Sequence, residues 1–398
     1  MLSRSPAPSL LTVLSSAPMT TRPDWDVFCK VIDNFGDIGV CWRLARQLAN
    51  EYAASVRLWV DDLDSFRLLC PQRDPALSIE CVQGVEVRRW ESLFTAVTPA
   101  RVVLESFACR IPENFVDRMA QLSPPPLWIN LDYLSAEAWV SGCHLLPSPH
   151  AHLPLVKYFF FPGFTTDTGG LLRERDLRTR RRCFAASTDL QNDWWRALGS
   201  AAPRAGTLLV SLFAYENTAI GDLLHAWEVS GRPVCCLAPC SRTLPAIAAY
   251  AGRALAAGDR LQRGALEIRI LPFVEQLRYD SLLWLCDLNF VRGEDSFVRA
   301  QWAARPLVWQ IYPQQEAAHL IKLDAFLARY CAMLPQATAV VLCEFWQAWN
   351  AGRVETAQWQ QLAASLPLLH EHALLWEARL AAQDDLVKQL VRFSASRL

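Results

Sequence analysis

Two aspartates, Asp33 and Asp37, share a short segment with Asn34, and Gly36 and Gly39 punctuate it. Carboxylates at such a turn can face a substrate and take a proton from it, and glycines let that substrate approach the backbone. An apolar run precedes the segment (Val27, Phe28, Val31, Ile32). Cys41, Leu44, Ala45 and Leu48 follow it at i, i+3, i+4 and i+7. The pattern is strand, glycine turn, helix, and in open α/β sheets ligands bind where such strands end. Aspartate and asparagine also start turns and cap helices. One short turn, however, does not need three polar side chains and two glycines. The run is neither a G-x-G-x-x-G nor a P-loop, so dinucleotide and Walker-type phosphate binding are not indicated.

A second polar set, from Asp287 to Ala300, again reads as strand, glycine turn at Gly293, and helix. Ser296 is placed to cap that helix and leave its first amides for an anion. Arg292 can fork onto a phosphate. Glu294 and Asp295 cannot both face phosphates, since like charges repel, so one of them is read as accepting hydroxyl groups of a sugar. The helix dipole favours acids at any helix start; it does not account for Arg292 beside them. Phe273 and Gln276, after the strand Leu266–Leu271, could hold a planar base, or could simply begin a helix with Phe273 in the core. Ser211, Phe213 and Tyr215 end another strand on the same side. Tyr312 and Pro313 resemble a proline-started helix from which Gln314 or Gln315 could reach sugar hydroxyls, with Glu316 a routine first-turn acid.

The elements that must position these residues alternate. Strand patterns fall at Val27–Ile32, Val56–Val60, Val85–Arg88, Val102–Glu105 and Leu127–Leu131, then at Leu208–Phe213, Val234–Leu237, Leu266–Leu271, Cys286–Phe290 and Leu307–Gln310, with amphipathic segments between most of them. Such alternation implies an α/β fold with two parallel sheets covered by helices, hence two Rossmann-like domains facing a cleft. A chain of 398 residues that is 52% hydrophobic can fill two cores. The net charge of −1 gives no global field for nucleic acid or an anionic membrane. The charged run from Arg173 to Arg182 reads as solvated surface. No apolar run approaches the ~20 residues that span a bilayer.

The thirteen cysteines are scattered, several in apolar runs, as suits buried thiols in a reducing cytoplasm. Cys236 and Cys240 lack a second pair at zinc-ligand spacing, so no metal site is expected. Residues 1–22 read as a disordered extension whose apolar piece is short for a signal sequence, and translation starting at Met19 is an alternative. Asp62 and Asp64 match a loose D-x-D, for which helix capping is the better account. His144, His150 and His152 read as a polar loop. No G-x-S-x-G or H-E-x-x-H is present.

Taken together, these residues resemble a known family, the bacterial protein-arginine rhamnosyltransferases that modify translation elongation factor P (EarP). The match rests on Asp33 to Arg46, Asn130 to Glu137, Phe159 to Phe164, Arg292 to Ser296 and Ile311 to Gln314, in the family's order. The resemblance implies a GT-B fold. Residues 23–172 would bind the acceptor, 173–204 would link, 205–372 would bind the nucleotide sugar, and 373–398 would pack back on the N-terminal domain. It implies inverting transfer of L-rhamnose from dTDP-β-L-rhamnose, without metal or other cofactor, to one arginine of elongation factor P, which then serves translation of polyproline stretches. By position, Asp33, Asp37 and Glu294 are the expected catalytic residues. Phe273 and Gln276 would hold the base, Tyr215 the ribose, and Arg292, Asp295 and Ser296 the diphosphate region. Asn34, Phe35, Gly36, Phe213, Gly293 and Gln314 complete the expected donor site.

The residue types suit that chemistry. A guanidinium is a poor nucleophile because its lone pairs are delocalised and its pKa is above 12. A carboxylate pair can grip it and orient one nitrogen. Asp37 is the expected base, and Asp33 would position the arginine or support the loop. Arg292 and helix-terminal amides would meet the charge on the leaving diphosphate. The Asn130–Glu137 segment could read the acceptor, or be a strand followed by a Ser135-capped helix. Two rival functions remain on sequence grounds. One is a same-fold transferase with a lipid or small-glycan acceptor. The other is a non-catalytic nucleotide-sensing partner of the translation machinery, whose arginine run contacts RNA. No membrane or nucleic-acid partner is expected.

Overall fold

A computed structural model of the chain describes residues 22–32, 35–74, 77–90, 97–314 and 318–398. Asp33, Asn34, Gln315 and Glu316 lie outside the described residues, as does the expected N-terminal extension up to residue 21.

Two sheets form. The first holds β1 (Trp25–Cys29), β2 (Val56–Val60), β3 (Ile79–Val82), β4 (Val85–Arg89), β5 (Val102–Ser106), β6 (Leu127–Leu131), β7 (Pro147–Pro149) and β8 (Val156–Phe160), in the order β3-β4-β2-β1-β5-β6-β8-β7. The second holds β9 (Leu208–Leu212), β10 (Val234–Pro239), β11 (Arg260–Arg263), β12 (Leu266–Leu271), β13 (Leu288–Arg292) and β14 (Leu307–Gln310), in the order β11-β12-β10-β9-β13-β14. Pairing is parallel except at the outer hairpins β3/β4, β7/β8 and β11/β12. Within each sheet the strand order reverses beside its first strand, β1 or β9. Doubly wound folds bind their ligands at the carboxyl ends of strands around that point.

Burial on both faces explains the apolar runs. Every residue of β1, β2, β5 and β6 is buried, and successive side chains point to opposite faces. Val27, Leu58, Leu104 and Ile129 join the main core. Phe28, Trp59, Val103 and Trp128 face the helix Glu113–Gln121, which covers them with Phe115, Val116 and Met119. Asp26 interrupts this apolar face. Its carboxylate accepts both arms of the Arg57 guanidinium at 2.7 Å, the Trp59 indole N–H at 2.8 Å and the Ala100 N–H at 2.8 Å.

Several local expectations need correction. β1 stops at Cys29 because the next amides bond to side chains instead of a strand: Val31 N–H to Asp61 and Ile32 N–H to Asp37. β13 starts at Leu288, not Cys286. The charged run is only in part solvated surface: Arg175, Asp176 and Arg182 are exposed, whereas Arg173, Glu174, Arg178 and Arg181 are partly buried. It leads into the helices Leu177–Ala186 and Thr188–Ala197. Arg173 donates to the Ala381 and Gln383 carbonyls, and Arg178 and Arg181 pair with buried Glu377. The arginines have acceptors from distant parts of the chain, which a local charge pattern cannot reveal. Ser135 caps no helix; its hydroxyl bonds Glu137, and the helix Trp139–Cys143 starts without a side-chain cap. Asp62 does cap its helix, accepting the Asp64 and Ser65 amides. His144 and His150 accept backbone amides at Nδ1 and so order their loop. All thirteen cysteines are unpaired. Among the described residues no helix is long and apolar enough to cross a membrane.

Removing the charge of Asp26 would leave the Arg57 guanidinium buried without its partner. Asp26→Asn is expected to lower the unfolding free energy by about 3–5 kcal/mol, read from a denaturant titration with an unchanged slope.

Candidate active site

The Asp37 turn feeds the helix Gly36–Tyr52, whose N-terminal end has no side-chain cap. Asp37 sits in its first turn, 3% exposed, and its Oδ2 accepts the Ile32 N–H at 2.9 Å. The carboxylate is therefore held by the chain that leaves β1. Across the cleft, β13 runs into Gly293 at φ +56° and then into the helix Asp295–Ala303. That backbone is left-handed, and glycine adopts it without steric cost. The Gly293 carbonyl accepts the Trp309 indole N–H at 2.7 Å.

Ser296 does not cap this helix. Its hydroxyl accepts the Arg292 N–H and donates to the Arg292 carbonyl, so it braces the strand end from inside the first turn. Glu294 is the flanking residue, and its side chain reaches the other half of the molecule, where Oε2 accepts the Leu134 N–H at 3.0 Å.

Two adjoining cavities share Gly36. One, of about 600 Å³, is lined by Phe35, Phe213, Phe273, Gln276, Tyr279, Arg292, Asp295 and Ser296, among others. Its aromatic walls are packed in pairs: Phe35 against Phe273 at 5.1 Å, and Phe213 against Tyr279 at 5.5 Å. The Arg292 guanidinium lies 4.6 Å over both the Phe213 and Tyr215 rings. The other cavity, of about 730 Å³, contains Asp37, Tyr133, Leu134, Gly293, Glu294, Trp309, Tyr312, Gln314 and Lys322. Aromatic faces with one buried guanidinium suit a base and its phosphates. Two carboxyl groups near an ammonium suit the handling of a cation or a proton.

Of the residues singled out from sequence, Asp37, Glu294, Phe35, Gly36, Phe213, Phe273, Gln276, Arg292, Gly293, Asp295, Ser296 and Gln314 all lie on these walls. Tyr215 does not. It is buried behind Arg292, with its ring against Tyr312 and its N–H on Gln310. Phe273 is not in the core; it is half-buried at the cavity edge. The Gln276 amide bridges the halves, donating to the Gly39 carbonyl at 2.8 Å and accepting from Arg46 at 3.0 Å. Sequence reasoning missed Tyr279, one helical turn beyond Gln276 and so on the same face. It also missed Lys322, which had no local signal.

Burial pushes the Glu294 carboxyl up to about 8; Asp37 and Asp132 add to the rise, and the Leu134 N–H and Lys322 oppose it. Near neutral pH this group is a neutral acid that can donate a hydrogen bond as well as accept one. Asp132 is also raised by burial. Among the described residues no cluster of His, Cys, Asp and Glu could hold a metal ion.

Two Rossmann-like sheets whose strand ends meet across one groove define the GT-B fold. A UDP-glucosyltransferase from Polygonum tinctorium shares the fold at TM-score 0.51 and 10% identity, over 94% of this chain and 99% of that one. The chain belongs to the elongation factor P (EF-P) rhamnosyltransferase family, EarP, whose sequence profile matches residues 25–395. It is 49% identical over 375 residues to the protein-arginine rhamnosyltransferase of Pseudomonas aeruginosa, covering 94% of this chain and 99% of the relative. A structure solved to explain EarP-mediated arginine glycosylation of EF-P superposes at TM-score 0.67 and 35% identity, over 95% of this chain and all of that one.

The raised Glu294 carboxyl has a thermodynamic signature. Between pH 4.5 and about 8 the folded protein keeps a proton that the unfolded chain releases. The group's contribution to stability is therefore complete below pH 4.5 and is lost as pH rises through about 8. Glu294→Gln does not titrate. Its melting temperature, relative to the unchanged protein, is expected to rise by about 4 °C or more between pH 5 and pH 9 in thermal scans without donor.

Proposed function

We propose that this protein moves L-rhamnose from dTDP-β-L-rhamnose to one arginine of translation elongation factor P, with inversion and without a metal. The observation that carries this reading is the meeting of Asp37 and Glu294 in one cavity, beside a second cavity of aromatic rings and Arg292. The strand ends of the second sheet, within 205–372, take the nucleotide sugar. Residues 23–172 take the acceptor. Phe273 and Phe35 offer flat faces to the base, and Arg292 with the first amides of Asp295–Ala303 meets the diphosphate.

The acceptor guanidinium enters on the Asp37 side. Asp37, held by the Ile32 N–H, is the group that takes its proton during attack. Asp33 belongs to the same acidic set by sequence and would help to grip the guanidinium. Glu294, protonated near neutral pH, donates to an oxygen of the sugar or the leaving group rather than acting as base. The cytoplasm is the proposed compartment, in keeping with thirteen unpaired thiols and a ribosome-associated acceptor.

The test is the intact mass of elongation factor P after incubation with this protein and dTDP-β-L-rhamnose in the presence of chelator. One added deoxyhexose on a single arginine is expected. No added mass, in a sample shown to bind the donor, would reassign the acceptor. Asp37→Asn is expected to lower turnover by at least about a hundredfold while donor affinity by calorimetry stays within about threefold.

A further inference from the structure

Asp295 lines the proposed donor cavity, yet much of what orients it comes from the other half of the molecule. Its Oδ1 accepts from Arg43 Nε at 2.9 Å, and its Oδ2 accepts from Gln276 Nε2 at 3.3 Å. Arg43 belongs to the helix Gly36–Tyr52 and is fully buried. Its two remaining nitrogens reach Asp280 at 3.2 Å, Glu174 at 3.4 Å and the Gln276 carbonyl at 3.1 Å. Arg299 closes the cluster, forking onto Asp280 at 2.8 and 2.6 Å and meeting Glu174 at 2.7 Å. Although burial opposes ionisation, Arg299 and Arg43 hold the Glu174 carboxyl well below the usual carboxylate range. Gly39, one helical turn before Arg43, presses on the same carboxylate. A Cβ at that position would lie 3.1 Å from Asp295 Oδ2.

We propose that Arg43 is a positioning residue for donor binding: it fixes the Asp295 carboxylate and ties this wall of the donor cavity to the seating of the Asp37 helix on the second sheet. The inference rests on the reading of Asp295 as a donor contact. Arginine is required because the guanidinium reaches three carboxylates and a carbonyl in one plane, whereas lysine would supply a single point charge. The donor then binds best when the two halves are seated, and by linkage its binding favours the seated state.

Arg43→Lys keeps the charge and loses the fork. Its KM for dTDP-β-L-rhamnose is expected to rise about tenfold or more, with kcat changed by less than about threefold. Since Arg43 acts through Asp295, adding Arg43→Lys to Asp295→Asn should move KM by no more than about twofold beyond Asp295→Asn alone. Additive effects on KM would overturn the proposal. Arg57→Lys loosens a buried pair within the first sheet and controls for general loss of stability: it should lower the melting temperature and leave KM unchanged, and an equal KM rise there would also overturn it. If Asp295→Asn leaves KM unchanged, the donor-contact reading itself fails. If Asp295→Asn raises KM and Arg43→Lys does not, only the positioning role fails. Should Arg43→Lys not fold, Gly39→Ala places a methyl group against Asp295 with the ion cluster intact. The same KM rise is expected, and an unchanged KM overturns the proposal.

Discussion

The cleft is organised by two helix N-termini brought close together, those of Gly36–Tyr52 and Asp295–Ala303. Each carries the partial positive charge of its unsatisfied amides, so bare ends would repel. Asp37 and Asp295 place acidic side chains at the meeting point beside Glu294, which is neutral near neutral pH, and Arg43 pairs with Asp295 from behind. The acids therefore have a structural reason to be where they are, quite apart from any chemistry. The same arrangement is suited to a reaction in which a cation arrives on one side and an anion leaves on the other. Amides with Arg292 can hold the anion, and carboxyl groups can hold the cation.

The cost of that crowding is visible at Glu294. Burial is the main cause of its raised carboxyl, the neighbouring Asp37 and Asp132 add to the rise, and Glu294 keeps its proton near neutral pH. Lys322 tempers this effect without removing it. Asp37 and Glu294 each accept a backbone amide, from Ile32 and Leu134, and Glu294 keeps its proton near neutral pH. A protonated Glu294 suits the proposed role of hydrogen-bond donor beside Asp37 as the proposed base.

Much of this was legible from one sequence. The bounds of Val56–Val60, Leu127–Leu131, Leu266–Leu271 and Leu307–Gln310 are those the apolar pattern gives, because buried parallel strands carry near-continuous runs of apolar residues. The glycine turn at Gly293 was readable for a similar local reason, whereas Gly36 and Gly39, expected in a turn, lie in the helix Gly36–Tyr52. What escaped was non-local. Glu174 sat in a charged run that read as surface, but its partners Arg43 and Arg299 lie 131 and 125 residues away. Ser296 looked like a cap because serine before a helix usually is one; the chain instead uses its hydroxyl to brace Arg292. Lys322 approaches the groove from a helix that carries no motif, so only the fold places it beside Glu294.

The chain passes between the two halves twice, once before the helix Leu177–Ala186 and again between Ala381 and Leu386. The two passages are stapled to each other. Arg173 in the first donates to the Ala381 and Gln383 carbonyls of the second, and the Leu386 N–H returns to the Leu171 carbonyl. Beyond them the last helix, Leu386–Ala395, lays Phe393 against Tyr158 of the first sheet. A single tether would act as a ball joint. Two tethers fastened side by side act as a door hinge, with one axis of swing and little freedom to twist or slide. An opening of the groove that keeps these bonds would be confined to a swing near Arg173, and such a swing would return Asp37 and Glu294 to the same register at each closure.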